Sequence, residues 1–438
     1  MAADWTSGLR RAREHAPFLA RALERQPDLS VLLEAGDGDA ALAWSRSVGQ
    51  AEAAGVALRR ERLALATTLA VGDLAGAFPL AKVTGELSEF ADRALGTAMA
   101  AAMLARVPEE EPAGMVALAL GKQGAGELNY SSDIDPILLY DPALLPRRDR
   151  DEPAEAAQRY ARETVRLLTE VTPEGYVFRV DLRLRPASEV SPPAIPIEAA
   201  LTHYESSALA WERAAFIKAR SAAGDVAAGE RFLAAIRPFV WRRSLDFGAI
   251  GDIRRLSVRI RASHAGPREP RPGFNVKLGR GGIREIEFFA QTHQLIHGGR
   301  DNSLRVRGTC AALKALAAAG VIEENAAEVL CGAYERLRAV EHRLQMVEDK
   351  QTHTLPDGAA LDAVARLDGL GSGAELVAEL REVTQKVAAH YDALIAEEDS
   401  APAVMVSGGN KLAERLAELG FADPARLSER IAGWSDGR

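Results

Sequence analysis

Cysteine is scarce in this chain, which has only Cys310 and Cys331 among its 438 residues. They form no CxxC pair and the eight histidines are scattered, so neither a disulfide framework nor a zinc site is indicated. Long apolar runs are also missing, since no stretch reaches the roughly 20 residues that a membrane span needs. The first residues, MAADWTSGLRRAREH, lack the apolar core of a signal peptide. These absences predict a cytoplasmic protein with no membrane partner.

Aromatic residues make up only 5% of the chain, whereas Ala, Leu, Glu and Arg, which favour helices, are abundant. The formal net charge is −8, and an acidic chain is a poor candidate for non-specific nucleic-acid binding. We therefore expect a mostly helical protein of two or three domains that has no nucleic-acid partner.

The hydrophobic periodicity divides the chain into four regions. Residues 1–112 have apolar residues at helical spacing and predict an N-terminal helical region. Residues 113–196 predict a small mixed sheet, and residues 197–400 predict a second helical region packed on it. Residues 401–438 are predicted to be a linker and the start of a following region. The fold class is therefore predicted to be α+β and predominantly helical.

The predicted sheet is built from short apolar runs. Strands are expected at 115–120 and 134–140, followed by an amphipathic helix at 155–171. GYVFRVDLRLRP, at 175–186, has the clearest alternation of apolar and polar residues and is predicted to be a third strand. Residues 188–196 contain too much proline to predict regular structure.

Three aspartates are candidates for a metal site. Asp133 and Asp135 are two residues apart where the second predicted strand begins, so both carboxylates point to one side. Asp181 shares a face of the third predicted strand with Arg183 and Arg185. Carboxylate oxygens suit Mg²⁺, with Mn²⁺ as an alternative, and such ions can stabilise the attacking and leaving oxygens of phosphoryl chemistry. We predict that the three aspartates are both metal-binding and catalytic.

A glycine-rich segment, residues 121–126, lies between the first two predicted strands, where backbone N–H groups could approach a phosphate. The residues predicted to bind nucleotide or phosphate are Gly121, Lys122, Ser132, Arg183, Arg185 and Lys218. Alternatives stay open for three of them: an exposed loop lysine for Lys122, a turn-forming hydroxyl for Ser132 and a structural ion pair for Lys218.

A second cluster of glycines and charged residues precedes a predicted helix. Its members are Gly279, Arg280, Gly281, Gly282, Arg284, Glu285 and Glu287. The turn could bind an anion at the helix N-terminus, and Arg284 could pair with Glu287 at i, i+3. The sequence leaves open whether the cluster contacts substrate or fixes the domains together.

GKQGAGELNYSSDID, at 121–135, resembles the signature of the glutamine synthetase adenylyltransferase family, the bifunctional adenylyl-transferring and adenylyl-removing enzymes of bacterial nitrogen control. Segments 178–186, 211–220, 275–300 and 334–356 resemble further blocks of this family, so the resemblance covers almost the entire chain. It implies a polymerase-β-like nucleotidyltransferase core.

Family members carry two such cores, whereas this chain has one SSDID-type motif. Its motifs resemble the N-terminal, adenylyl-removing copy, so the resemblance implies a piece that lacks the C-terminal adenylyltransferase half. The implied reaction is Mg²⁺-dependent phosphorolysis, in which inorganic phosphate removes AMP from a tyrosine of adenylylated glutamine synthetase and gives ADP. The implied nucleotides are AMP, ADP and ATP, and the implied regulator is a PII signalling protein, plain or uridylylated.

Two alternatives stay open. ATP-dependent adenylylation of glutamine synthetase would use the same site, and a non-catalytic module could bind PII or the synthetase. Three residues depart from the family pattern: Gln123 and Ala125 replace a leucine and a glycine, and Pro136 replaces a leucine. A proline within a strand favours an edge or a bulge beside Asp135.

Overall fold

The structure is a computed structural model that describes residues 3–242 and 266–400. Residues 1–389 belong to one compact unit and residues 390–438 to a second. The region predicted at 401–438 lies outside the described residues. The boundaries predicted after residues 112 and 196 stay predictions.

From residue 3 to the first strand, the described chain forms helices with ordinary start signals. Asp4 and Asp37 are N-caps whose carboxylates accept from the backbone N–H groups of Ser7 and Ala40, each at 2.9 Å. The helices are α1 (Trp5–His15), α2 (Pro17–Arg25), α3 (Pro27–Glu34), α4 (Gly38–Ser47), α5 (Ala54–Leu74) and α6 (Leu80–Leu104). The predicted N-terminal helical region is confirmed.

The described residues form one four-stranded mixed sheet in the order β3-β2-β1-β4. Its strands are β1 (Met115–Ala119), β2 (Pro136–Tyr140), β3 (Ala194–Pro196) and β4 (Arg220–Gly224). β1 is antiparallel to β2 and β4, and β2 is parallel to β3. The small mixed sheet is thus confirmed, as are its first two strands.

The prediction of a strand at 175–186 is wrong. Among the described residues, the backbone of this segment pairs with the sheet region only through a bridge between Ile134 and Val180. The backbone N–H groups of Val177 and Phe178 both donate to Leu168 O at 3.0 Å, at the end of the preceding helix. Those donors are therefore unavailable to a strand partner. Val177 and Phe178 are consecutive and both buried, so burial does not follow the alternation of the sequence.

Two strands come from segments where none was predicted. β3 lies in the proline-rich stretch 188–196, and β4 in the region predicted to be helical. β3 has only three residues, and β4 (RSAAG) is made mostly of small residues without alternation. Both form because β1 and β2 offer them backbone partners, which is tertiary information.

Both faces of the sheet are covered. Met115 and Ala117 pack into the cluster formed with the N-terminal helices, whereas Val116 and Leu118 pack into a second cluster on the opposite face. Successive residues of a strand point to opposite faces, so a strand covered on both sides is apolar throughout. This explains the uninterrupted apolar run of β1.

The rest of the described chain is mainly helical, which confirms the predicted α+β, predominantly helical class. These helices are α7 (Gly121–Ala125), α8 (Pro153–Thr169), α9 (Ile197–Ser206), α10 (Ala210–Phe216), α11 (Val226–Ala235), α12 (Arg237–Val240), α13 (Ile283–His297), α14 (Thr309–Ala318), α15 (Glu324–Met346), α16 (Gly358–Leu367) and α17 (Gly373–Ser400). Among the helices described, none combines the length and the apolar character needed to cross a membrane.

Candidate active site

The three predicted aspartates come together beside the start of β2. Asp133 and Asp135 flank Ile134, which is fully buried and therefore directs both carboxylates away from the core. Ile134 N donates to Arg179 O at 3.0 Å and Asp181 N donates to Ile134 O at 2.9 Å. These two bonds place Asp181 beside the pair, and carboxylate oxygens of all three aspartates lie within 4.8 Å of one another.

The electrostatics of the triad favour a divalent cation. Burial, together with the neighbouring carboxylates of Asp133 and Asp181, raises the pKa of Asp135 to about 7. The pKa of Asp181 is lowered because Arg183 donates to its carboxylate. The oxygen atoms of three clustered carboxylates are ligands of the kind that Mg²⁺ and Mn²⁺ prefer. The residues present therefore fit the predicted metal.

Arg183 and Arg185, both predicted to bind nucleotide, have different surroundings. Arg183 Nε donates to the two carboxylate oxygens of Asp181 at 2.9 and 2.8 Å. Arg185 donates to the carbonyl oxygens of Leu182 and Ser188, each at 2.8 Å. Arg185 holds the turn after Asp181 together and is not among the described residues that line the cavity.

A cavity of about 590 Å³ opens beside the triad, which is within the usual size range of small-ligand pockets. It brings together all the predicted site residues except Arg185. The predicted residues in its lining are Gly121, Lys122, Ser132, Asp133, Asp135, Asp181, Arg183 and Lys218.

The glycine-rich segment between β1 and β2 is not the open phosphate loop that the sequence suggested. It begins with the one-turn helix α7, where Gly124 N donates to Leu120 O at 2.9 Å. Gly121 has φ 54°, and a Cβ there would lie 2.9 Å from Asp135 Oδ2. Glycine at position 121 therefore leaves room for the carboxylate. Ser132 Oγ accepts from Asn129 N at 3.3 Å, as a turn-forming hydroxyl does.

The loop from α7 to the aspartates is held by a residue that sequence reasoning missed. Arg338 of α15 is fully buried and donates to Glu127 O at 2.6 Å and to Asn129 Oδ1 at 3.2 Å. A buried guanidinium with several acceptors fixes backbone geometry strongly. The C-terminal helical region thus positions the catalytic loop.

Lys122 is engaged with a carboxylate inside the protein. Its ammonium donates to both carboxylate oxygens of Glu341, at 3.0 and 3.1 Å, and the Glu341 side chain is fully buried. Burial lowers the pKa of Lys122 to about 8. Neither alternative weighed from the sequence, a phosphate contact or an exposed loop lysine, included this partner.

Lys218 is likewise enclosed by acids. Its ammonium lies 3.0 Å from Glu287 Oε1 and 3.4 Å from Glu127 Oε2. Burial would lower the pKa of Lys218, but these two carboxylates raise it overall. This is the structural ion pair that the sequence left open, and the partner of Glu287 is Lys218 where the sequence suggested Arg284.

The glycine and charged cluster before α13 uses its own backbone donors. Ile283 N donates to Val276 O and Arg284 N to Lys277 O, each at 3.0 Å. Gly281 has φ 74°, and a Cβ there would lie 2.0 Å from Thr384 O. The cluster therefore fixes the start of α13 against α17, and those N–H groups are not available to an anion.

Further cavity residues were not predicted. An apolar wall is formed by Leu184, Trp211 and Phe288, and Trp211 remains 37% exposed. Trp211 lies in the segment WERAAFIKAR, which resembles a block of the family. The sequence did not predict that Trp211 would line the cavity. Lys277 also lines the cavity, as does Arg284, a member of the cluster for which the sequence left a substrate contact open.

The departures from the family pattern are accommodated. Gln123 Nε2 donates to Asp92 Oδ1 at 2.9 Å. Pro136 is the first residue of β2, where the lost N–H is tolerated, and it pairs with Ala119 in a continuous register. The edge or bulge predicted at Pro136 is therefore wrong.

The mixed sheet, its helical surroundings and the three converging aspartates define a nucleotidyltransferase-like core. The sequence profile described as glutamate-ammonia ligase adenylyltransferase matches residues 9–235. The chain belongs to this family. A second profile, described as GlnD PII-uridylyltransferase, matches residues 255–395.

Curated relatives agree with this assignment. The chain is 42% identical to a protein of Caulobacter vibrioides over 96% of this chain and 45% of that protein. It is 42% identical to one of Xanthobacter autotrophicus, over 97% and 46%, and 41% identical to one of Rhizobium meliloti, over 98% and 45%. Each is named a bifunctional glutamine synthetase adenylyltransferase/adenylyl-removing enzyme. The chain spans slightly less than half the length of these relatives.

Proposed function

We propose that this chain is a nucleotidyltransferase that removes AMP from a tyrosine of adenylylated glutamine synthetase by phosphorolysis. Inorganic phosphate is the co-substrate, and the products are ADP and the unmodified tyrosine. The observation that carries the proposal is the convergence of Asp133, Asp135 and Asp181 at the edge of a cavity of about 590 Å³. The choice of glutamine synthetase as the protein substrate is supported by the family to which the chain belongs.

The direction of the reaction is supported by two considerations. The motifs resemble the N-terminal, adenylyl-removing copy of the family, and the relatives' name includes both a transferring and a removing activity. The proposal assigns the removing activity to this chain, which spans less than half of those relatives. ATP-dependent adenylylation is the alternative, and it uses the same residues.

Each residue of the site has a role in this proposal. Asp133, Asp135 and Asp181 hold Mg²⁺, with Mn²⁺ as an alternative. The bound ion supplies charge stabilisation for the leaving tyrosine oxygen and the incoming phosphate. Arg183 orients Asp181, and Gly121 leaves Asp135 its space.

The cavity walls provide the rest of the binding surface. Leu184, Trp211 and Phe288 offer the apolar surface that an adenine ring requires. Positioning of phosphate and AMP beside the aspartates supplies the remaining catalysis, because a phosphate nucleophile needs little activation.

Partners follow from the same comparisons. Adenylylated glutamine synthetase is the protein substrate, and a PII signalling protein is proposed as the regulator because the second matching profile is that of a PII-uridylyltransferase. A C-terminal adenylyltransferase half is a further expected partner. We propose that the chain acts in the cytoplasm together with these partners.

The test is an assay with adenylylated glutamine synthetase, Mg²⁺ and phosphate, in which ADP and unmodified synthetase are measured. Both are expected, and both should be lost in the Asp133→Asn/Asp135→Asn double variant. ATP-driven AMP incorporation in place of ADP release would favour the forward reaction. A chain that binds neither Mg²⁺ nor Mn²⁺, even with nucleotide, would favour a non-catalytic module.

A further inference from the structure

Two of the cationic side chains that line the cavity beside the triad have no ion pair among the described residues. Among the described residues, its lysine and arginine side chains are Lys122, Arg183, Lys218, Lys277 and Arg284. Three of them are ion-paired: Lys122 with Glu341, Arg183 with Asp181, and Lys218 with Glu287 and Glu127. Their charges are already compensated by protein carboxylates.

Lys277 and Arg284 differ from these three. Within residues 3–242 and 266–400, no hydrogen bond or ion pair engages either cationic group, although Arg284 lies with its guanidinium 5.8 Å from the ring centroid of Phe288. Arg284 Nε is buried and has no hydrogen-bond partner in the described part of the chain. A buried donor of this kind costs free energy unless a ligand satisfies it.

The two cations are held in place by the backbone. Arg284 N donates to Lys277 O at 3.0 Å, which joins the loop to the first turn of α13. Lys277 N in turn donates to Asn275 Oδ1 at 3.0 Å. Phe274 and Val276 are both fully buried and anchor this loop. The two side chains therefore project from a fixed support into the cavity.

Lys277 lies within electrostatic reach of the triad. It lines the same cavity as Asp133, Asp135 and Asp181. Lys277 and Arg284 thus lie in the same cavity as the carboxylates that would hold the metal. A phosphate group between them would meet positive charge on both sides, from the ion and from the side chains.

We propose that Lys277 and Arg284 bind the second phosphate group of the reaction. This group is the incoming inorganic phosphate and, after transfer, the β-phosphate of ADP. Lys122 and Lys218, which the sequence favoured, instead support the site through their ion pairs. The assignment of this group rests on the proposed function, because only that reaction adds a phosphate to AMP.

Every bond that forms in the transfer step is matched by a bond that breaks. An oxygen of hydrogen phosphate forms a bond to the phosphorus of AMP while the bond from that phosphorus to the tyrosine oxygen breaks. The proton of hydrogen phosphate ends on the tyrosine oxygen, and the products are ADP and the tyrosine hydroxyl. Lys277 and Arg284 hold the nucleophile in line and compensate its negative charge.

Calorimetric titration with ADP and with AMP, in the presence of Mg²⁺, tests the proposal on the full chain. Lys277→Gln and Arg284→Gln should each weaken ADP binding about tenfold to a hundredfold, the usual effect of losing a charged hydrogen bond. AMP binding should change by less than about threefold, since AMP has no second phosphate. Lys386→Gln is the matched control, because Lys386 is exposed on α17 and is outside the cavity lining.

Equal weakening of ADP and AMP, or no change, would overturn the proposal, and so would a lack of ADP binding by the unaltered chain. Unchanged melting temperatures of the variants would exclude misfolding, and they are expected because neither cationic group has a hydrogen bond or ion pair to lose among the described residues. A chain that binds ADP through Lys277 but does not remove AMP from the synthetase would refute the proposed function and leave this subsite intact.

Discussion

Gln351 Nε2 donates a hydrogen bond of 2.9 Å to Asp133 Oδ1. Gln351 follows α15 and lies 218 residues from its partner in the sequence. The bond joins the C-terminal helical region to the carboxylates proposed to bind metal. Because an amide donor fixes the orientation of a ligating carboxylate, Gln351 is expected to support metal binding without touching the metal.

Removal of this donor should weaken the metal site. Gln351→Ala is expected to lower the affinity for Mn²⁺ by about tenfold, the lower end of the effect of such supporting residues. Calorimetric titration with Mn²⁺ measures the change. Lys350→Ala, at the exposed neighbouring position, serves as the control, and an equal loss in both variants would contradict a specific role for Gln351.

Gly121 and Gly126 form a matched pair of positions. Both have positive φ, 54° and 73°, but a Cβ at Gly121 would lie 2.9 Å from Asp135 Oδ2, whereas a Cβ at Gly126 meets nothing within 4 Å. Gly126→Ala should cost only backbone strain, about 1–2 kcal/mol. Gly121→Ala should in addition displace the carboxylate and remove most metal binding. Similar Mn²⁺ affinity in the two variants would contradict this reading of Gly121.

The ion pair between Lys122 and Glu341 should be a strong contributor to stability. Glu341→Gln leaves the ammonium of Lys122 and the buried guanidinium of Arg338 without this carboxylate. The substitution is expected to reduce the free energy of unfolding by about 3–5 kcal/mol. Urea denaturation measures the loss. Glu14→Gln breaks the exposed pair Arg10–Glu14, at 3.0 Å, and should cost less than about 1 kcal/mol. A similar small cost at Glu341 would show that Lys122 is free to serve a substrate.

His293 should make stability depend on pH. Burial, with a smaller effect of His297, lowers the pKa of His293 from 6.5 to about 4. The unfolded chain therefore binds a proton that the folded chain rejects between these values, so stability is complete above pH 6.5 and is lost as the pH falls towards 4. From pH 7 to pH 5 this loss is about 2 kcal/mol.

Urea denaturation at pH 7 and pH 5 tests this prediction. The loss on acidification should be smaller in His293→Gln than in the unaltered chain, because glutamine does not titrate. His15→Gln removes a histidine from α1 and should leave the pH dependence in place. An identical pH dependence in all three proteins would show that His293 does not contribute.

The sequence predicted what depends on local pattern. The apolar runs of β1 and β2 and the amphipathic pattern of α8 are recovered at nearly the predicted positions. Asp133 and Asp135 could be predicted because strand-like spacing already places them on one side. The third aspartate could be predicted from the family resemblance and its arginine-rich surroundings, although its segment is not a strand.

The sequence failed where the partner is distant. Lys122 and Lys218 were candidates for phosphate binding with other roles left open, and the sequence did not show their partners. Glu341 lies 219 residues from Lys122, and Glu287 lies 69 residues from Lys218. No local pattern shows that a cation is already paired. For the same reason the sequence did not point to Lys277. This lysine lines the cavity and has no ion-pair partner among the described residues.

The most direct test of the account uses labelled inorganic phosphate. With adenylylated glutamine synthetase and Mg²⁺, the account predicts that ³²P from phosphate appears in the β-position of ADP, in an amount equal to the unmodified tyrosine formed. This transfer should disappear in Asp135→Asn. Unlabelled AMP as the released product would mean hydrolysis, and either that outcome or label transfer independent of Asp135 would contradict the account.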